Sequence, residues 1–193
     1  AMVARAPLVI VVNAASPWKT LPELLAAARA KPGSVAYATF GPGSGPQLAG
    51  ALLGLEAGVK FLEVPYKGSA PAMSDLLGGQ LQMLVDTVAS AGPQIKAGKL
   101  RALAVLGLQR FSDLPNVPSL ADLQLPGAAF DAWYALAAPA RTPVAVRQQL
   151  ERAVKEALAT PALQTTIRQQ AMDPAFIGSA ALRPLVDEEV ARY

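Results

Sequence analysis

The chain contains neither cysteine nor histidine among its 193 residues. Without histidine there is no Ser-His-Asp or Cys-His nucleophilic centre, no zinc site of the usual kinds, and the commonest general base is gone. An enzyme built from this sequence would have to rely on lysine, tyrosine and carboxylates. The missing cysteine suits an oxidising compartment that avoids stray thiols, although many cytosolic proteins share it. Aromatic residues make up 6% and charged residues 16% of the chain. Lys and Arg nowhere cluster with interleaved aromatics, which argues against a nucleic-acid surface.

Two further features are read as lacking. Ala1-Met2-Val3-Ala4-Arg5 shows no cationic stretch followed by an apolar one, so no signal peptide is expected in this chain. The uncharged stretch Pro32 to Leu55 is long enough to span a bilayer, but a Gly-Pro cluster at its centre would leave backbone groups unpaired in lipid. The expectation is a soluble protein.

What is present is a chain that is 52% hydrophobic, with net charge +3 and a pI near 9.3. It can bury a real core, as one large domain or two small ones. The mild positive balance suits an anionic small molecule, but chance explains it as well.

Leu8-Val9-Ile10-Val11-Val12 is a continuous apolar run, as expected of a strand buried on both faces. Thr20-Leu21-Pro22-Glu23 is a capping box opening a helix through Ala30, which Lys31-Pro32-Gly33 stops. Val35 to Phe40 reads as a strand, Pro46 to Ala57 as a helix ended by Gly58, and Lys60 to Val64 as a strand. Pro71 to Leu77 is a helix before Gly78-Gly79, and Leu81 to Val85 a strand closing on Asp86-Thr87. Val88 to Ala97 is a helix containing Pro93, Arg101 to Leu106 a strand, and Gln109 to Gly127 loop with one short helix begun at Ser119. Strand and helix alternating at this pitch describe βαβ units and a mainly parallel sheet.

The tail differs. Phe130 to Ala138 reads as one long strand. Pro143 to Ala159 is an amphipathic helix with Val146, Leu150, Val154 and Leu158 on one face. Pro161 to Ala171 is a further helix, Phe176-Ile177 a short strand and Ser179 to Tyr193 a last helix. A lone strand with three helices closes no sheet by itself, so this part either packs on the first or belongs to a second domain.

Two loops carry the chemistry: Gly41-Pro42-Gly43-Ser44-Gly45-Pro46 and Tyr66-Lys67-Gly68-Ser69-Ala70-Pro71. Each lies between a strand and a helix start, aiming unpaired N–H groups and a positive helix end at whatever sits in front. In parallel sheets, ligands bind at the carboxyl ends of the strands, and the segments 40–46, 66–71 and 86–88 all fall there. A carboxylate or phosphate is the natural occupant.

The residues Gly41-x-Gly43-Ser44 with Leu48-Ala49-Gly50, Val64 to Ala72, Asp75 to Gln80, Ile95 to Val105, Leu114 to Ser119 and Leu125-Pro126-Gly127 resemble the tripartite tricarboxylate transporter substrate-binding proteins, the Bug family. The resemblance runs in one order over essentially the whole chain. It implies a periplasmic solute receptor of type II binding-protein fold, α/β, in which two lobes close on a ligand like a Venus flytrap. The expected ligand is a small organic carboxylate: a di- or tricarboxylate, acidic amino acid or aromatic acid. It would then pass to the membrane permease subunits of the transporter, with no catalytic residues, no metal and no cofactor. By the same resemblance 1–8 is a hinge crossing, 9–131 lobe two, and 132–193 the return crossing with the C-terminal part of lobe one. The chain is expected to be N-terminally incomplete, with one complete lobe and part of the other. Closure would turn on the crossings near Arg5–Val9 and Phe130–Tyr134. An Asn-Gly-Ser/Thr loop and a following histidine of many relatives read here as Pro42-Gly43-Ser44 and Gln47, which puts direct side-chain contact at that loop in doubt.

Taken alone, the first loop is a tight strand-to-helix connection; with the second loop and the family pattern it becomes a ligand contact. Gly43, Ser44, Gly45, Gly68, Ser69 and Ala70 are expected to supply mainly backbone donors, with Thr39 and Ser44 adding hydroxyls. Tyr66, Lys67 and Asp86 are expected to tune selectivity. Tyr66 and Lys67 read equally well as surface or hinge residues, and Asp86 as a cap for the helix that follows. Trp133 and Tyr134 read as packing, and Asp187, Glu188 and Glu189 as a solvated helix face. Ser16-x-x-Lys19 lacks the companion motifs of penicillin-recognising enzymes. One alternative is a nucleotide-binding α/β enzyme domain, since Gly41-x-Gly43 and Glu63 imitate a dinucleotide fold; Pro46 stands where the third glycine belongs. The other is the ligand-sensing domain of a LysR-type regulator.

Overall fold

The computed structural model describes residues 1–192; the last residue of the expected C-terminal helix, Tyr193, lies outside the described residues. The chain divides into two compact units, Pro7–Asp131, and Ala1–Ala6 with the segment from Ala132 onward. Among the described residues no helix is long and apolar enough to cross a membrane.

Strand β1 (Met2–Ala6) belongs to the smaller unit, and β2 (Leu8–Asn13) opens the larger. Val9 to Val12 are fully buried, as a run without a polar face must be. Helix α1 (Leu21–Ala30) starts where Thr20 accepts the Glu23 N–H at 3.4 Å. The Glu23 carboxylate reaches back to the Lys19 N–H at 2.7 Å, one residue before the cap. Then come β3 (Ala36–Thr39), α2 (Gly45–Ala57), β4 (Leu62–Pro65), α3 (Ser69–Leu77), β5 (Leu84–Thr87), α4 (Val88–Lys96) and β6 (Leu100–Val105). Helix α2 ends at Gly58, whose φ of 60° is the left-handed turn that glycine takes without strain.

β3 and β4 pair in parallel, and Tyr37 bridges Met83, just ahead of β5, in the same sense. β2 runs antiparallel to both of its neighbours, β5 and β6. The expected mainly parallel sheet is therefore corrected. Strands β3 to β6 share one direction, while β2 opposes them. A fully buried apolar run shows that a strand has two covered faces, but carries no signal of its direction. After β6 the chain follows the sheet through turns, with Phe111, Leu114, Leu120 and Phe130 buried. Ser119 and Asp122 exchange hydrogen bonds in capping-box fashion, but only turns form there, not the expected helix.

In the smaller unit β1 lies between β7 (Ala132–Ala135) and β8 (Asp173–Ile177), antiparallel to each. The lone strand expected at Phe130 to Ala138 thus shrinks to β7 and pairs along one edge with β1. β1 buries Met2, Ala4 and Ala6 in alternation with the partly exposed Val3 and Arg5. Helices α5 (Val144–Ala159), α6 (Pro161–Gln169) and α7 (Ser179–Arg192) complete the unit. On α5 the expected buried face is only partly covered: Leu158 is 7% exposed, but Val146 and Leu150 are 44% and 52% exposed. Trp133 donates its indole N–H to Glu189 at 2.9 Å, so this glutamate does not belong to a purely solvated face.

Two consequences are measurable. A Cβ at Gly50 would sit 2.2 Å from the Tyr37 ring, so Gly50→Ala is expected to lower stability by about 1–3 kcal/mol, read as a lower urea midpoint at unchanged slope. Burial, then the hydrogen bond to Glu63 at 3.0 Å, push the Tyr37 hydroxyl pKa well above the ordinary tyrosine value. The unfolded chain loses this proton near about pH 10 while the folded chain keeps it, so this contribution is intact below about pH 10 and declines above it. Urea midpoints followed into the alkaline range should fall less steeply in Tyr37→Phe than in the unaltered chain.

Candidate functional site

The register of the parallel pair sets Thr39 opposite Pro65, and the Tyr66 N–H donates to the Thr39 carbonyl at 2.8 Å. The loops after β3 and β4 therefore leave the sheet side by side. The Ala38 N–H donates to the Met83 carbonyl at 3.4 Å, tying β3 to the strand that ends at Thr87. Ser69, first residue of α3, donates its hydroxyl to Asp86 Oδ2. The segments 40–46, 66–70 and 86–88 thus share one edge of the Pro7–Asp131 unit.

In the first loop the Ser44 Oγ accepts the Phe40 N–H at 3.1 Å, and the Ser44 N–H donates to the Gly41 carbonyl at 3.2 Å. Gly43 has a φ of 72°, which favours glycine. Its N–H, expected to serve a ligand, is already donated to Gln47 Oε1 at 2.7 Å. The Gln47 side chain thus fills the donor from within. The Gly45 N–H has no partner among the described residues. Thr39 is 3% exposed, so its side chain sits in the core and not on the open edge.

In the second loop Gly68 caps α3 with a φ of 120° and a ψ of −174°, a conformation essentially closed to other residues. Ahead of α3 the N–H groups of Gly68, Ser69 and Ala70 have no partner among the described residues, as the first turn of a helix requires. Lys67 is exposed and forms no ion pair among the described residues. The Tyr66 hydroxyl is committed to Asp75 Oδ2 at 2.8 Å; burial and then Asp75 raise its pKa. It clasps α3.

Asp86 is 4% exposed. It does not cap α4: that role falls to Thr87, whose Oγ1 accepts the Ser90 N–H at 3.2 Å. Asp86 Oδ1 instead accepts the Thr87 N–H at 2.8 Å, while Oδ2 holds Ser69, whose oxygen lies 2.8 Å from Ser90 Oγ. Ser90 and Gln47 were not among the expected site residues. Ser90 had a signal, three residues after a threonine that opens a helix.

A concavity of about 660 Å³ lies elsewhere on this unit, lined by Arg29, Tyr37, Gly50, Gly54, Phe61 and Glu63. Its acidic group, Glu63, is spent on Tyr37 and on Gln47, at 3.0 and 3.2 Å.

Over residues 1–193 the chain matches the family described as the tripartite tricarboxylate transporter family receptor. The chain belongs to this family. It comprises periplasmic solute-binding receptors, not enzymes. The chain is 37% identical over 193 residues to a UPF0065 protein from the tcbD–tcbE intergenic region of Pseudomonas sp. strain P51, covering 100% of this chain and 57% of that protein. The structure of R. palustris Rpa4515 with adipate superposes with a TM-score of 0.86 at 29% identity, over 99% of this chain and 64% of that one. MatC from Rhodopseudomonas palustris with bound malate gives 0.85 at 27% identity, over 99% and 66%. The chain thus has the α/β fold of the periplasmic binding proteins and spans less than two thirds of the length of these relatives.

Because both Asp86 oxygens are used in a buried setting, Asp86→Ala should destabilise the protein by about 1–3 kcal/mol, through the partners it leaves unpaired. Urea unfolding checks this; a loss within a few tenths of a kcal/mol would mean that the carboxylate is not structural.

Proposed function

We propose that this chain is the ligand-binding part of an extracytoplasmic receptor that captures a small organic carboxylate and delivers it to a tripartite tricarboxylate-type transporter. The observation that carries the reading is the row of unpartnered N–H groups at Gly45, Gly68, Ser69 and Ala70, set at neighbouring parallel-strand ends. Such groups, with the positive end of α3 behind them, hold a carboxylate without needing a matching cation. The relatives that superpose on the chain are seen with adipate and with malate, both dicarboxylates, which supports that ligand class. In this reading Pro7–Asp131 is the second lobe of the receptor, the smaller unit is the C-terminal portion of the first, and the protein works in the periplasm. The partners are the membrane permease subunits.

The nucleotide reading is weaker at the same loop. The Gly43 amide that a pyrophosphate would need is taken by Gln47, and Pro46 has no N–H to offer.

A thermal-shift screen of the full chain with millimolar adipate, malate, succinate, glutamate, nicotinate and NAD tests the proposal. A bound carboxylate at about ten times its Kd should raise Tm by about 3 °C. A shift with NAD and none with any carboxylate would overturn it.

A further inference from the structure

The cluster at Asp86 fixes the direction of its own hydrogen bonds, and with it the kind of ligand the edge prefers. A carboxylate only accepts hydrogen bonds, whereas a serine hydroxyl has a single proton to donate and two lone pairs. Asp86 Oδ1 takes the Thr87 N–H, and Oδ2 takes the proton of Ser69. The contact between the Ser69 and Ser90 oxygens, 2.8 Å apart and open to donation from either side, must then be donated by Ser90. The chain runs Ser90 to Ser69 to Asp86, and both hydroxyl protons point inward.

What Ser69 and Ser90 offer outward, from half-buried positions, is lone pairs only. Beside them stand the free N–H groups of Ser69 and Ala70. This corner therefore presents donors for a carboxylate and, next to them, acceptors that require a donor from the ligand. At the first loop the polarity is reversed: Ser44 Oγ accepts the Phe40 N–H and keeps its own proton for an incoming oxygen.

We infer that the site selects carboxylates bearing an O–H or N–H donor on the carbon next to the carboxylate, and that Asp86 is the positioning residue that sets this preference by directing the Ser90–Ser69 chain inward. A plain dicarboxylate has only acceptor atoms to set against the serine oxygens. A 2-hydroxy or 2-amino acid satisfies them. The inference rests on the carboxylate-receptor reading and adds the ligand's second functional group to it.

Calorimetric titration of the full chain with succinate, L-malate and L-aspartate provides the test, since these C4 dicarboxylates differ only in the hydrogen, hydroxyl or ammonium at carbon 2. L-Malate and L-aspartate are expected to bind at least about fivefold more tightly than succinate, the worth of one hydrogen bond. In Asp86→Asn, the Thr87 N–H still demands the oxygen, which leaves the amide NH2 facing Ser69. The chain is then driven outward, and the preference should fall to parity or invert. Ser90→Ala removes one of the two outward acceptors and should reduce the preference without inverting it, which keeps the test decisive if Asp86→Asn does not fold by circular dichroism. Succinate binding as tightly as L-malate and L-aspartate overturns the inference while leaving the receptor reading standing. So does an undiminished preference in either folded variant. Failure of all three acids, and of the wider carboxylate screen, removes the receptor reading and the inference with it.

Discussion

Strand β2 is buried along most of its length, and the functional edge takes its position from that burial. A strand with no polar face needs cover on both sides and a hydrogen-bonded neighbour on both edges. β5 and β6 supply the neighbours, in a register that sets Leu8 against Thr87 and Val9 against Asp86. The start of β2 thereby pins the end of β5. The Pro7 carbonyl completes the link by accepting the first amide of α4, Val88, at 3.0 Å. Asp86 is held by core packing, at the place where two helices begin.

That position explains how an acidic residue can stand within the proposed anion site. α3 and α4 both open toward it, and their N-terminal ends carry partial positive charge. The Asp86 carboxylate, with its hydrogen bonds from Thr87 and Ser69, occupies part of that positive field permanently. The amides left over, at Gly68, Ser69 and Ala70, point along the same edge. The site is thus a set of directed donors and acceptors, not a generic positive pit. An exposed lysine such as Lys67 adds little to it, because water and salt screen a surface charge. Recognition through backbone amides also tolerates sequence change, since any residue but proline supplies the donor. That is consistent with relatives 27% to 37% identical sharing the family's architecture.

Much of the local structure could be read directly from residue types. Thr20 with Glu23 marks the start of α1, Gly58 stops α2, and Gly78-Gly79 follow α3. The two glycine loops read as lying at strand ends leave the sheet side by side. β1 is not legible in the residues, because Val3 is as apolar as the buried Met2 and Ala4 and the alternation appears only in burial. The period-four stripe on α5 revealed an apolar face, but periodicity states only which face is apolar and not what covers it. Direction was similarly hidden in β2. At Gly43 the residue type was right for a tight loop, yet whether its amide was free depended on Gln47 curling back over it.

The amino-acid order alone settled most helices and strands between Leu8 and Leu106, their capping and stopping residues, and the presence of glycine-bearing loops after strands. Each of those depends on residues within a turn or two of one another. Tertiary structure decided which way β2 runs, which amides stay unpartnered and which way the serine protons point. Those outcomes depend on groups distant in the chain, such as Ser69 and Asp86, 17 positions apart, and a hydrogen bond has a direction only once both ends are in place.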